Sequence, residues 1–164
     1  MTSSENKEIR LKGLALSKGC AVGKVCMFNE NRHSNLPMYR VEGEGVDMEI
    51  ARVKRAMEIA GARLEKVRKK VEKEIGSAES EIFVAQKMIL DDETLLSQIM
   101  EQIQKEGTNA ESGIAHVLNT YETRLSALDD EYISAKATDI GEVKRRLLDV
   151  LGNMKPPFQR LRRH

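Results

Sequence analysis

Apolar residues recur at helical spacing through the middle of the chain, most regularly between residues 46 and 75. The intervals alternate between four and three, and the residues are Val46, Ile50, Val53, Met57, Ala60, Leu64, Val67 and Val71. This spacing predicts a long helix with a narrow apolar seam, capped by Asp47 and ended by Gly76. Such a seam packs lengthwise against another helix, and the pattern leaves open whether that helix belongs to the same chain.

Two shorter amphipathic helices are predicted to meet at an acidic elbow. We expect Ser77 to cap the first and Asp92 to cap the second, because each side chain can accept from a free amide of a first turn. Their repeating positions are Ile82, Phe83, Gln86, Ile89 and Leu90, then Leu95, Leu96, Ile99, Met100 and Ile103. Phe83, Met88 and Ile89 cannot all point into one core, so the elbow is a candidate contact surface. The alternative is that all of it is core.

Two further helices are predicted after the elbow. Gly107 suits a helix C-cap, and Thr108 with Glu111 forms a capping-box pattern at the next start. We expect Thr138 and Asp139 to cap a last helix. The apolar positions of these two helices are Ile114, Val117, Leu118, Tyr121, Leu125 and Leu128, then Ile140, Val143, Leu147, Leu148 and Leu151.

Four or five helices with short connections predict a mainly α fold, an antiparallel helical bundle built as two helical hairpins. Residues 9–28 differ, because alternation around a glycine-bearing turn predicts a short strand segment there. Two strands need a sheet that the later sequence does not offer. We therefore divide the chain into tail, strands and linker over residues 1–45, a helical domain over 46–152 and a tail over 153–164.

Composition and charge exclude several classes of function. The formal net charge is +1, so no global field draws the chain to nucleic acid or to a membrane, and no apolar run is long enough to span a bilayer. Cys20 and Cys26 form neither a zinc pattern nor a disulfide framework, which favours a cytoplasmic, reduced protein. His33 and His116 stand alone and the acids at 129–131 splay apart, so we predict no catalytic or metal site. A helical enzyme whose site converges in space is the weakest alternative.

Three stretches match family motifs in the same order. Residues 12–28 fit Gly-x-x-x-Ser-x-Gly-x-Ala-x-Gly-Lys/Arg at Gly13, Ser17, Gly19, Ala21, Gly23 and Lys24. Residues 81–95 resemble Ile-Phe-x-x-His-x-Met-Leu-Leu-x-Asp, with Gln86 at the histidine. Residues 128–148 resemble Asp-x-Tyr-x-x-x-Arg-Ala-x-Asp-Ile/Val-x-Asp-Ile-x-x-Arg-Leu-Leu, with Lys136 at the first arginine. The chain thus resembles the phosphoenolpyruvate-protein phosphotransferase family, enzyme I of the sugar phosphotransferase system.

The resemblance implies a helical subdomain that docks the small histidine phosphocarrier protein for phosphoryl transfer. In the family, a second subdomain carries the phosphorylated histidine in a Gly-Gly-x-x-Ser-His-type motif, and a later domain binds phosphoenolpyruvate and Mg²⁺. This sequence contains no Gly-Gly pair. We therefore expect an N-terminal part that needs no cofactor of its own and is inactive alone, which leaves open whether the chain counts as an enzyme. The strands at 9–28 would belong to the phosphohistidine subdomain.

The resemblance also implies a set of partner-binding residues on the elbow and on the facing hairpin. They are Glu81, Phe83, Gln86, Met88, Ile89, Asp92, Glu93, Leu125, Ile133 and Lys136. An apolar patch with an acidic rim suits a carrier whose apolar surface is ringed by positive charge. The departures at Gln86 and Lys136 are compatible with a different carrier, such as one for nitrogen regulation. The alternative function is a helical interaction module that self-associates through the seam at 46–71; a homodimer could also form through the N-terminal strands.

Overall fold

The computed structural model describes residues 37–154, together with residues 12, 14, 19, 20 and 22–24. Its helices in the described part are α1 (Glu44–Glu74), α2 (Ser77–Leu90), α3 (Glu93–Glu106), α4 (Ala110–Ser126) and α5 (Glu131–Gly152). The predicted mainly α fold is therefore confirmed. The predicted strand segment at 9–28 and the tail after residue 154 lie outside the described residues, apart from the isolated positions above.

Two antiparallel hairpins build the bundle, as the short connections predict. In the first, α2 returns along α1, and the Lys87 side chain lies against Gly61. In the second, α5 returns along α4, and Lys144 Nζ donates to Glu122 Oε2 at 2.5 Å. These two pairs have the most extensive helix–helix contacts.

The helix α3 continues from the elbow in the direction of α2 and ends beside the start of α1. There the Val41 amide donates to the Gly107 carbonyl at 2.9 Å, and Arg40 forms an antiparallel bridge with Thr108. The helices α2 and α3 together run back along α1, with an interruption at the elbow.

The seam of α1 packs inside this chain. Its residues Ile50, Val53, Met57, Ala60 and Leu64 are buried in one core with apolar residues of the other four helices, such as Ile99, Ile103, Ile114, Leu118, Val143 and Leu147. Beyond Leu64 the seam leaves the core, and Val67 is 38% exposed. The open question about the partner of the seam is thereby answered for residues 50–64.

The signals around the elbow are partly confirmed. Asp92 caps α3, because its carboxylate accepts from the Thr94 amide at 2.8 Å, and Gly107 ends α3 in the left-handed conformation with φ 59°. The predicted cap at Ser77 is wrong: Ser77 is already helical, and its carbonyl accepts from the Ser80 hydroxyl at 2.8 Å. The N-cap of α2 is Gly76, which supplies no side-chain hydrogen bond.

Three other predicted caps are wrong. Asp47 lies in the first turn of α1, which begins after Gly43. The N-cap of α4 is Asn109 rather than Thr108, and Glu111 does not complete a capping box, because it pairs with an arginine of α1. The pair Thr138–Asp139 lies inside an unbroken α5, which starts where the Asp130 carboxylate accepts from an amide of the first turn. Burial of the neighbouring apolar residues overrides the local preference for a break.

No helix among the described residues is both long and apolar enough to cross a membrane.

Candidate functional site

Several large apolar side chains on α2 remain exposed. Met88 is 70% exposed, Ile82 is 51% exposed, and Val84 is also exposed. Phe83 and Ile89 are half-buried against the core. Met88 is thus left out of the core at the elbow, and the prediction that Phe83, Met88 and Ile89 do not share one core is confirmed.

The predicted partner-binding residues differ in exposure. Glu81, Met88, Asp92 and Glu93 are exposed, Phe83, Ile89, Leu125, Ile133 and Lys136 are half-buried, and Gln86 is buried. The members on α2 and the elbow reach solvent at least in part, except for Gln86. The other three lie around the turn between α4 and α5. Their roles in binding stay predictions.

These residues form an elongated surface. Arg146 Nε of α5 donates to Gln86 Oε1 of α2 at 3.2 Å, which fixes the level at which the two helices meet. Lys136 precedes Arg146 by ten residues, or about 15 Å of helix. The resemblance therefore marks two ends of one surface along α2 and α5 rather than a single compact patch.

The α2–α5 groove is defined by Arg146 of α5 together with Gln86, Ile82 and Ile89 of α2. The two isoleucines lie four residues before and three residues after Gln86, so all three share one face of the helix. Gln86 is only 3% exposed. Burial lowers the pKa of Arg146, and the neighbouring Arg145 lowers it further. Arg146 matches the arginine of the Arg-Leu-Leu pattern that ends the third family motif, but sequence reasoning assigned it no role.

Charged residues at the elbow are partly engaged within the chain. Lys87 forms an ion pair with Asp91 one helical turn away. Asp92 is occupied as the cap of α3, although its side chain stays exposed. Glu81 and Glu93 have no recorded ion pair among the described residues. The elbow thus presents exposed carboxylates around Met88.

A second polar cluster lies where α1 and α4 begin. The polar base consists of Glu49 and Arg52 of α1, Asn109 and Glu111 at the start of α4, and Tyr39. Arg52 donates to Glu49 Oε2 at 2.7 Å and to Glu111 Oε1 at 2.6 Å. Glu49 is 0% exposed and accepts from the first helical amide of α4, that of Ala110, at 2.8 Å. Glu49 therefore stabilises the start of α4 across the bundle.

The polar base also holds the segment that enters α1. Tyr39 Oη donates to Glu49 Oε1 at 2.8 Å, and Asn109 Nδ2 donates to the Pro37 carbonyl at 2.6 Å. Burial raises the pKa of Tyr39, and the hydrogen bond to Glu49 raises it further. Sequence reasoning missed this cluster, because its members are spread over more than 70 residues and look like ordinary helical charges.

A metal site is not built by the described residues, which contain no group of three or more His, Cys, Asp or Glu side chains that could hold an ion. In the acidic run at 129–131, Asp130 serves as the cap of α5.

Comparisons with known proteins agree with the helical fold. The family model described as "PEP-utilising enzyme, N-terminal" matches residues 12–136. Phosphoenolpyruvate-protein phosphotransferases are similar to the chain: that of Listeria monocytogenes is 31% identical over 86% of this chain, and that of Staphylococcus aureus strain MRSA252 is 32% identical over 87%. The chain belongs to the N-terminal family of PEP-utilising enzymes. It spans about a quarter of the length of these relatives, 24% and 25%.

Solved structures share the bundle. The solution structure of an Enzyme I protein (nEIt) superimposes with a TM-score of 0.69 at 28% identity, covering 72% of this chain and 48% of that one. The N-terminal domain of an "Enzyme 1 - Nitrogen" protein superimposes with a TM-score of 0.65, covering 71% of this chain and 49% of that one; at 23% identity it supports the fold alone. The resemblance to the N-terminal region of enzyme I is therefore confirmed.

Proposed function

We propose that this bundle docks the histidine phosphocarrier protein, as the N-terminal part of a phosphoenolpyruvate-dependent protein phosphotransferase of the sugar phosphotransferase system. The observation that carries the proposal is Met88, a large apolar side chain that α2 leaves 70% exposed beside the carboxylates of the elbow. The similarity to phosphoenolpyruvate-protein phosphotransferases supplies the identity of the partner.

The physics of the surface suits a transient protein partner. Met88 and Ile82 offer apolar area that a partner can remove from water, and methionine adapts its shape to the surface that it meets. Exposed acids at Glu81, Asp92 and Glu93 favour a partner whose apolar contact surface is surrounded by positive charge. Such charges raise the rate of encounter more than the affinity.

The proposed role of this chain is positioning rather than chemistry. In the proposed reaction, the bundle holds the carrier while a phosphohistidine outside the described residues exchanges a phosphoryl group with it in the cytoplasm. Phosphoenolpyruvate and Mg²⁺ belong, in this proposal, to further parts of the full-length enzyme. The bundle by itself would then bind the carrier without turnover.

Self-association is a second candidate, and it rests on the end of the α1 seam. Val67 is exposed beyond the core, and Ile75 at the end of the hairpin is exposed as well. The seam from Ile50 to Leu64 is already used within the chain, so little apolar length is left for a second copy. Light scattering over a range of protein concentrations tests this candidate, and a dimer that survives Val67→Lys argues against the seam as its interface.

The test of docking is an NMR titration of the labelled chain with the histidine phosphocarrier protein of the same organism. We expect the shifts to cluster at residues 81–93 and 125–136 and to spare the polar base. Absence of any shift at millimolar carrier would overturn the docking proposal while leaving the fold and the family intact.

A further inference from the structure

Arg146 has an incomplete set of partners in the α2–α5 groove. Its Nε donates to Gln86 Oε1 at 3.2 Å, which is its one recorded hydrogen bond among the described residues. The buried polar atoms without a partner in that part of the chain are Arg52 Nε and Thr108 Oγ1. The two terminal nitrogens of Arg146 are not among them, so they reach solvent from a half-buried side chain.

Other arginines of the described helices are either paired or exposed. Arg52, Arg55, Arg68 and Arg145 each have a carboxylate oxygen within 3.1 Å. Arg63 and Arg124 have no recorded pair but are exposed. Arg146 is the arginine in these helices that is half-buried and has no carboxylate in contact. A charge that loses hydration without an ionic partner is stabilised by a partner that binds later.

The charged residues near Arg146 act on its charge but do not form an ion pair with it. Glu142 and Asp149 on the same helix act on it electrostatically but form no ion pair with it, and Arg145 opposes them. Gln86 accepts a hydrogen bond from Nε of the Arg146 guanidinium and contributes no charge. The outer edge of the guanidinium, with its two terminal nitrogens, is the edge that matches the two oxygens of a carboxylate.

We propose that Arg146 binds a carboxylate, an Asp or Glu side chain on the docking face of the carrier, and that Gln86 positions the guanidinium for it. This inference rests on the proposed docking function and adds a determinant of specificity to it. Ile82 of the groove and Met88 of the same helix supply exposed apolar contact, and the elbow supplies negative charge. A partner that carries cations opposite the elbow and one acid opposite Arg146 fits in a single orientation.

The experiment measures the affinity of the histidine phosphocarrier protein for the wild-type chain and for three variants by isothermal titration calorimetry. Arg146→Gln removes the charge, Arg146→Lys keeps the charge without the fork, and Arg63→Gln is the control, an equal loss of charge at an exposed position of α1. We expect about a tenfold loss of affinity for Arg146→Gln, a smaller loss for Arg146→Lys and less than twofold for Arg63→Gln.

A second set of variants changes the carrier. Each surface Asp and Glu of the carrier is changed to Asn or Gln, and each product is titrated against the wild-type chain and against Arg146→Gln. We expect one carrier variant to bind the wild-type chain about tenfold more weakly and to show no further loss against Arg146→Gln, which is the signature of a direct pair.

The outcomes separate the two proposals. If the wild-type chain does not bind the carrier, the docking function fails and this inference fails with it. If the wild-type chain binds and Arg146→Gln binds equally well, docking stands and the role of Arg146 is overturned. Saturable binding of inorganic phosphate at Arg146, with no carrier carboxylate coupled to it, also overturns the inference, because the anion would then not come from the partner protein.

Discussion

The polar base and the α2–α5 groove each contain a shielded arginine, but the two are completed differently. Arg52 in the polar base contacts Glu49 and Glu111, and both carboxylates accept further hydrogen bonds from within the chain. Arg146 in the groove has the neutral Gln86 and an outer edge that faces solvent. A buried cation whose terminal nitrogens are paired with carboxylates of the same chain holds elements of that chain together, whereas one whose terminal nitrogens have no carboxylate partner can recruit a second chain. The difference separates the part of the bundle that stabilises the fold from the part for which we propose binding.

Loss of the central cation of the polar base has the largest expected effect. We expect Arg52→Met to lower the free energy of unfolding by about 3–5 kcal/mol, because two buried carboxylates lose their ionic partner. The measurement is chemical denaturation followed by circular dichroism. Arg146→Met is the matched comparison, and we expect a loss of about 1 kcal/mol because one hydrogen bond to a neutral group is removed.

Equal losses for these two variants would contradict the contrast between the two regions. The triple variant Arg52→Met, Glu49→Gln, Glu111→Gln sharpens the test further. Since it removes the unpaired charges together with the cation, it should recover part of the stability.

Removal of the exposed methionine on α2 should affect binding without affecting stability. We expect Met88→Ala to weaken carrier binding about tenfold, because the apolar contact at the elbow is lost. The free energy of unfolding should change by less than about 0.5 kcal/mol, since the side chain lies mostly in water. Met48→Ala on α1 is the control, because Met48 is also exposed, at 43%, but lies near the polar base. An equal loss of carrier affinity in both variants would contradict the proposal that α2 is the docking element.

The residues that sequence alone could place are those whose role is local and periodic. The 4–3 spacing of the seam from Ile50 to Leu64 and the glycine at 107 follow from one helix at a time, and both are confirmed. A contact surface at the elbow could be predicted as well, because Phe83, Met88 and Ile89 cannot all point into one core.

What the sequence could not give is the pairing of residues far apart in the chain. Glu111 matches the local pattern of a capping box, yet its carboxylate pairs with an arginine 59 residues away. The two oxygens accept from both terminal nitrogens of Arg52, and such a bidentate pair is stronger than a single bond to a backbone amide. The environment of Arg146 is similar, since its contact with Gln86 joins two helices 60 residues apart. Thr138 and Asp139 show the same limit, because packing of α5 decides against their local preference.

The hydroxyl of Tyr39 should make a moderate, pH-dependent contribution to the polar base. We expect Tyr39→Phe to lower the free energy of unfolding by about 1 kcal/mol at neutral pH, because its hydrogen bonds to Glu49 and Arg52 are lost. The raised pKa of Tyr39 means that the folded state favours the neutral phenol. Its contribution is complete below the ordinary tyrosine pKa of about 10 and declines as the pH rises above it.

The measurement compares unfolding of the wild type and Tyr39→Phe between neutral and strongly alkaline pH. The wild type should lose more stability than the variant over the alkaline range, so that the difference between them narrows. Parallel curves would mean that Tyr39 ionises as easily in the folded chain as in the unfolded one.

The smallest expected effect comes from a hydroxyl beside the polar base, one of two buried polar atoms of the described residues without a partner, the other being Arg52 Nε. Thr108 Oγ1 is buried without a hydrogen-bond partner among the described residues, next to the N-cap of α4. Replacement by valine keeps the shape of the side chain and removes the unpaired hydroxyl, so we expect Thr108→Val to stabilise the fold by up to about 1 kcal/mol. Chemical denaturation measures the change, and Thr120→Val is the control, because the exposed Thr120 hydroxyl donates to the His116 carbonyl at 2.9 Å. A loss of stability in Thr108→Val would show that its hydroxyl has a partner in solution, such as a water molecule, and that the polar base extends further than the paired charges.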